Sequence, residues 1–217
     1  MLILNSGAEL GVFMLSCPQR MHARRRTLAD LALTDIRSPD YVRCGLPATN
    51  CTPFEDGRRG MLELLQIAVD RKADFVLLLE DDLRFNRHIG LNIEWWINAV
   101  GARSGDNFLG SLYRPSLVGR FKYWHVSGRF ISASPALVTG SQALLLSSAT
   151  ALKVLKEWDT ASGPHDRRLY SISGRDREVI YHSPSLVQHA EEPSTWSGPC
   201  HRANDFNPTW RAPGERS

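Results

Sequence analysis

The stretch Phe75-Val76-Leu77-Leu78-Leu79-Glu80-Asp81-Asp82 decides how this chain is read. Five apolar residues run without a break and end on three adjacent carboxylates. A strand that is apolar on both faces belongs in the middle of a parallel sheet covered by helices on each side. Working towards the N-terminus, the spacing predicts a helix over 57–72. Met61, Leu64, Leu65 and Ala68 fall at i, i+3, i+4 and i+7, and Arg58, Glu63, Asp70 and Lys72 are left for water. Before it, Asp40–Cys44 reads as a short strand stopped by Gly45-Leu46-Pro47. A helix is expected from about 22 to 33, with Leu28, Leu31 and Ala32 on one side. Val12–Ser16 is the first buried strand, broken by Cys17-Pro18-Gln19-Arg20. Strand, helix, strand, helix, strand is the α/β signature, with right-handed crossovers.

Working towards the C-terminus, the pattern is less regular. A helix is expected over 92–100, with strand-like pieces at Phe121–Val126 and Phe130–Ser132. Ala143–Leu146 reads as a strand, Thr150–Trp158 as a helix and Val179–Tyr181 as the last strand. After Pro193 the periodicity is lost, and residues from about 196 to 217 read as a tail or lid. The expectation is one domain over 1–217: a Rossmann-like α/β fold with a mostly parallel central sheet, helices on both faces and an irregular C-terminal end. The length of 217 residues and 42% hydrophobic content suit one globular domain.

No apolar run approaches the length of a membrane span. The start, Met1-Leu2-Ile3-Leu4-Asn5, has neither a basic n-region nor a long apolar core. A cytoplasmic location is therefore expected. Cysteines at 17, 44, 51 and 200 form no CxxC pair and fit no zinc template, so reduced thiols are expected. Cys44 and Cys51 could pair only in an oxidising compartment, and the sequon at Asn50 means little without a secretory signal. The net charge of +3 is too small for a dedicated nucleic-acid binder. It is unevenly placed, however, with Arg20, His22, Arg24, Arg25 and Arg26 crowded together and Arg58 beside Arg59. Such clusters can hold phosphates or simply face water.

Ligands of open α/β sheets bind at the C-terminal ends of strands. Three carboxylates there repel one another unless something positive is bound. A hard divalent cation meets that need with one or two carboxylates plus substrate phosphates. Glu80 and Asp82, being alternate residues, point to one side of an extended chain.

An apolar strand ending in such a triplet resembles the GT-A glycosyltransferases, which hold a metal-bound nucleotide-sugar on an acidic DXD-like motif. Two further segments extend the likeness. Gly140-Ser141-Gln142-Ala143-Leu144-Leu145-Leu146-Ser147 resembles a G-x-Q-A-x-x-x-S strand found in several of these families. Pro184-Ser185-Leu186-Val187-Gln188-His189, followed by Ser194 and Thr195, is similar to a PSL-x-QH stretch of the N-acetylglucosaminyltransferase IV family and its bacterial and phage relatives. The stretch Ala190-Glu191-Glu192-Pro193 departs from that family's pattern, and the chain is short for its eukaryotic members.

The resemblance implies an enzyme moving a sugar from a nucleotide-diphosphate sugar, expected to be UDP-linked, to a hydroxyl. Asp82 becomes the principal metal ligand, with Glu80 assisting and His189 as a third ligand. A histidine nitrogen suits Mn²⁺ better than Mg²⁺. Asp81 is placed to accept from ribose hydroxyls. Gln19 and Arg20 follow the first strand, where these folds seat the base. Arg20, Arg24 and Arg58 are candidates for the diphosphate, and Gln142 is counted with the donor-binding residues. Inversion needs a general base. Asp166 is the candidate, with His165 beside it as the alternative. Without a base, retention is open. Trp95, Trp96, Tyr123, Trp124 and Trp196 could stack on a sugar or belong to the core.

The acceptor is expected to be a glycan or, given the arginine clusters, a modified DNA base. A metal-dependent phosphoesterase or nuclease is the competing class, since acidic triplets also build two-metal sites. A nucleotide-sugar binder without turnover is the third.

Overall fold

The computed structural model describes residues 1–45, 53–115, 125–127, 130–138, 140–174, 178–190 and 202–213. Its strands are β1 (Leu2–Ile3), β2 (Glu9–Ser16), β3 (Tyr41–Cys44), β4 (Phe75–Leu79), β5 (Leu83–Phe85), β6 (Leu109–Ser111), β7 (His125–Ser127), β8 (Phe130–Ala133), β9 (Ala143–Ser147), β10 (Val179–His182) and β11 (Val187–His189). The helices are α1 (Met21–Leu31), α2 (Pro53–Asp70), α3 (Ile89–Val100), α4 (Ser148–Glu157) and α5 (His165–Ser173).

The main sheet runs β1-β2-β4-β9-β6-β10-β8-β7, with β3 also paired to β2. β2 pairs in parallel with β3 and with β4, and β10 pairs in parallel with β6. β9 is inserted antiparallel between β4 and β6. Following these pairings, β2, β3, β4, β6, β7 and β10 run one way, and β1, β8 and β9 run the other. Most strands therefore share a direction, as expected, but antiparallel neighbours interrupt the parallel order.

The five apolar residues of β4 are explained by two cores. Val76 and Leu78 point to one side, where Met61, Leu64, Leu65 and Ala68 of α2 meet Ala151 and Val154 of α4 and Leu169 and Ile172 of α5. Phe75, Leu77 and Leu79 point to the other, against Leu31 of α1 and Ile89, Ile93, Trp96 and Ile97 of α3. Both faces of the strand are thus dry, and the period-2 alternation is invisible in composition because both sides demand apolar residues. The i, i+3, i+4, i+7 face of α2 is the buried one, as its spacing predicts. α3 stops at Gly101, whose φ of +66° is a left-handed C-cap that glycine adopts without strain.

Several short elements are absent from the sequence reading, namely β1, β5, β6, β11 and α5. Residues 202–213, read as part of a tail or lid, lie packed on the body. Ala203 and Ala212 are buried, and Asn86 donates to the carbonyls of Asn207 and Trp210. Asn92 donates to the Trp210 carbonyl and to Asn86 Oδ1, and it accepts from the Ala212 amide. Amide side chains, not a strand ladder, fix this strap. Among the described residues no helix is long and apolar enough to cross a membrane. Cys17 and Cys44 are free thiols. Cys51, Cys200, Asn50, Tyr123, Trp124, Trp196, Ser194 and Thr195 lie outside the described residues.

Candidate functional site

Topology gathers most of the predicted residues at one edge of the sheet. The C-terminal ends of β2 and β4 lie side by side, so the turn Cys17–Arg20 faces the triplet Glu80-Asp81-Asp82. β9 runs the opposite way, so its beginning reaches the same edge, with Ala143 opposite Leu79. That register places Ser141 and Gln142 beside Glu80, whose amide donates to the Gln142 carbonyl at 2.9 Å. His189 arrives by a separate device. β5 and β11 form a two-stranded antiparallel ribbon in which His189 is opposite Leu83, one residue beyond Asp82.

The triplet is pinned through its backbone. Thr27 Oγ1 donates to the Asp81 carbonyl at 2.8 Å and accepts from the Leu83 amide at 3.0 Å. The Ala190 amide donates to the Asp82 carbonyl at 2.6 Å. Each carboxylate then has a different environment. Asp81 accepts from Ser16 Oγ at 2.7 Å and pairs with Arg20 Nε at 2.9 Å. Asp82 Oδ2 takes both the Arg20 Nη2 group and His189 Nε2, the latter at 3.0 Å. Asp82 is only 2% exposed, yet its Oδ1 is buried with no hydrogen-bond partner among the described residues. Glu80 accepts from Ser141 Oγ at 2.5 Å, and Ser141 Oγ lies 2.9 Å from His165 Nε2.

These environments separate the acidities. Burial, and then the neighbouring Asp82 charge, push the Glu80 carboxyl up to about 7. Asp82 is held below its ordinary value by His189 and Arg20, which outweigh its burial. The hydrogen bond to Asp82 raises the His189 imidazole. The expectation that three carboxylates need a positive partner is thus partly met by the chain itself, through Arg20. Among the described residues no group of three His, Cys, Asp or Glu side chains is arranged to hold a metal unaided. The donor set fits a divalent cation that takes one or two protein ligands and completes its shell from phosphate oxygens. Asp82 Oδ1, unpartnered among the described residues, is the oxygen with a lone pair to offer such an ion.

The remaining candidates divide. Arg24 is close, with Nη1 at 3.4 Å from Ser16 Oγ and 2.6 Å from Cys44 Sγ. Gln19 is exposed in the turn before α1, and Gln142 is half-buried. Arg58 lines a separate cavity of about 260 Å³ with Glu55, Arg59, Leu62, Trp158 and Asp159, and none of the triplet is in its walls. Asp166 lies in the first turn of α5, where Oδ2 accepts from the Gly140 amide at 2.9 Å and Oδ1 from the Arg167 amide at 2.8 Å. It therefore adjoins the 140–142 segment that contacts Glu80. His165 is buried behind Ser141. Trp96 is fully buried, and Trp95 packs edge-on against His182 and Trp210, so these two are core and strap residues. His22, Arg25 and Arg26 are on the exposed face of α1.

Ser16, Thr27 and Ser141 escape the sequence reading. Ser16 and Ser141 carry a weak signal, since each is a hydroxyl at a strand end beside the triplet's strand. Thr27 gives none, because its role depends on how α1 crosses the loop.

No family model and no curated protein matches the chain. Solved structures do resemble it. A glycosyltransferase involved in the glycosylation of the major capsid of PBCV-1 has a TM-score of 0.47 at 14% identity, over 85% of this chain and 94% of that one. A mannose-1-phosphate geranyltransferase from Thermus thermophilus has a TM-score of 0.45 at 10% identity, over 80% of this chain and 73% of that one. The apo form of the glycosyltransferase GlyE from Streptococcus pneumoniae has a TM-score of 0.44 at 10% identity, over 79% of this chain and 44% of that one.

Proposed function

We propose that the chain is a metal-dependent GT-A glycosyltransferase. It would move a sugar from a nucleotide-diphosphate sugar, UDP-linked, to a hydroxyl on a glycan or a modified DNA base. The observation that carries this reading is the meeting of Glu80, Asp81, Asp82, His189 and Arg20 at the C-terminal end of β4, with a buried Asp82 oxygen left unpartnered among the described residues.

In this reading Asp82 would be the principal ligand of Mn²⁺ or Mg²⁺, with Glu80 and His189 assisting it, directly or through water. When bound, the cation supplies positive charge against the diphosphate as the sugar–phosphate bond breaks. Arg20 and Arg24 stand close enough to the triplet to share that charge through guanidinium–phosphate hydrogen bonds. Gln19 faces the base and Asp81 the ribose hydroxyls, while Gln142 lines the donor side of the same edge. Asp166 takes the proton from the acceptor hydroxyl as the hydroxyl oxygen bonds to the anomeric carbon opposite the departing nucleoside diphosphate, so the centre inverts. Its two backbone donors fix the direction of the carboxylate.

A thermal-shift screen of nucleotides and nucleotide-sugars, with and without Mn²⁺, tests the reading, since a ligand of the folded state raises its stability by mass action. The expected result is a Mn²⁺-dependent shift with uridine diphosphate that disappears in Asp82→Ala. A shift with metal alone and with no nucleotide would move the assignment to a phosphoesterase. Loss of binding to an oligonucleotide as salt rises would single out the DNA acceptor.

A further inference from the structure

We propose that Arg20 is the resident counter-ion of the acidic triplet. It exchanges the carboxylates of Asp81 and Asp82 for the donor's diphosphate, so that divalent cation and diphosphate bind as a coupled pair. This inference rests on the nucleotide-sugar reading above.

The argument starts from one carboxylate. Asp82 Oδ2 already accepts from the Arg20 guanidinium and from His189 Nε2, at 3.0 Å for the latter. Oδ1 of the same group is buried and unpartnered among the described residues. A divalent cation approaching Oδ1 therefore meets a guanidinium seated on the adjacent oxygen. Like charges on one buried carboxylate repel strongly, because little water lies between them. The same guanidinium also holds Asp81 through Nε at 2.9 Å, so it bridges two of the three acids. The cation and Arg20 therefore compete for one carboxylate through its two oxygens.

The parts differ in their freedom to move. The acids sit on a backbone held by Thr27 and by the Ala190 amide. Arg20 ends the short turn Pro18–Arg20, and its side chain remains 14% exposed on a flexible stem. When the pair separates, the arginine is the partner that leaves. Removed from Asp81 and Asp82, it needs another anion, and a diphosphate offers the bidentate geometry that a guanidinium fork matches. Arg24 stands next to it, in contact with Ser16, which also binds Asp81. The cation replaces Arg20 on Asp82, the diphosphate receives Arg20, and each event removes the obstacle to the other. Linkage requires the coupling to be reciprocal, so Mn²⁺ tightens the nucleotide by the factor by which the nucleotide tightens Mn²⁺.

Mn²⁺ affinity, measured from the electron paramagnetic resonance signal of the free ion, tests the exchange without any need for turnover. Wild type and Arg20→Met are titrated with Mn²⁺ alone. The expected result is binding at least about tenfold tighter in Arg20→Met, since the competing cation is gone. Arg20→Lys, which can hold one carboxylate but cannot bridge two, should lie between them, and it serves if the methionine variant does not fold. Calorimetry with uridine diphosphate, with and without Mn²⁺ and corrected for the soluble Mn²⁺–nucleotide complex, should give coupling in wild type and a smaller coupling in Arg20→Met, where only the cation's own contact with the diphosphate links the two. Equal or weaker Mn²⁺ binding in both variants would overturn the exchange while leaving a Mn²⁺-dependent nucleotide site intact. Absence of Mn²⁺ binding in every protein, with or without nucleotide, would overturn the exchange together with the metal-dependent reading.

Discussion

Protonating His182 should cost the fold about 3 kcal/mol, and the cost should appear only as the pH falls below neutrality. The ring is fully buried where β10 ends, with Trp95, Trp96 and Trp210 edge-on around it at centroid distances of 5.2–6.2 Å. Nδ1 bonds the Pro184 carbonyl, which makes it the protonated nitrogen of a neutral ring, while Nε2 is buried without a partner among the described residues. Desolvation lowers the imidazole from 6.5 to about 4. The folded value is therefore the lower one. Between the two values the unfolded chain binds a proton that the folded chain refuses, so stability is complete above 6.5 and drains as the pH falls towards 4. At about 1.4 kcal/mol per pH unit, a gap of roughly 2.5 units gives the figure above. Urea unfolding at several values between about pH 7.5 and pH 4.5 measures it, with His182→Asn as the control. Asparagine keeps an N–H for the Pro184 carbonyl and does not titrate. The difference between the two proteins should change by roughly 2 to 3 kcal/mol across the window. Parallel curves would show that His182 charges freely in the folded state, and the reasoning would fail.

Other outcomes follow from the packing and the site. Asp82→Asn should abolish the Mn²⁺-dependent part of any uridine diphosphate thermal shift while leaving the protein folded, since asparagine can still accept from Arg20. Gly110→Ala should destabilise the protein by about 1–3 kcal/mol in urea unfolding. Its Cβ would stand 2.4 Å from the Trp96 ring, and Trp96→Phe in the same chain should recover part of the loss. Asn92→Ala removes a fully buried amide that holds Asn86, Trp210 and Ala212, leaving the Ala212 amide without its acceptor while the Trp210 carbonyl keeps its bond from Asn86. Unfolding measurements should show a cost of about 1–3 kcal/mol, with early proteolysis near residues 202–213. Leu77→Ala should cost about 2–5 kcal/mol, because the side chain is fully buried in the middle of the sheet.

What could be read from the sequence follows the length of each signal. β4 and the face of α2 are legible because a run of five apolar residues and four positions at helical spacing leave few alternatives. β5 and β11, three residues each, are too short for any period to register, yet their pairing brings His189 to Asp82. A resemblance of motif points to the histidine, and the chemistry of strand ends points to its neighbour. α5 hides for another reason. Its first turn, His165-Asp166-Arg167-Arg168, is polar, but Arg168 is buried because its guanidinium covers the Trp158 ring and bonds backbone carbonyls. The strap is unreadable because amide side chains hold it, and these leave no hydropathy pattern. Arg20 is expected from the sequence as a phosphate ligand. That it pairs with the triplet itself depends on two strand ends lying side by side, which no local pattern reports.

The central position of β4 sets the stiffness of everything attached to it. Its backbone is paired on both sides, to β2 and to β9, and both of its faces are dry. The amides of 75–79 can meet solvent only when the sheet itself comes apart, so their hydrogen exchange should report the global unfolding free energy. Glu80, Asp81 and Asp82 begin where that protected segment ends. Their spacing is therefore insured by the stability of the whole fold, and a distant core mutation that leaves the protein folded should leave the carboxylates in register.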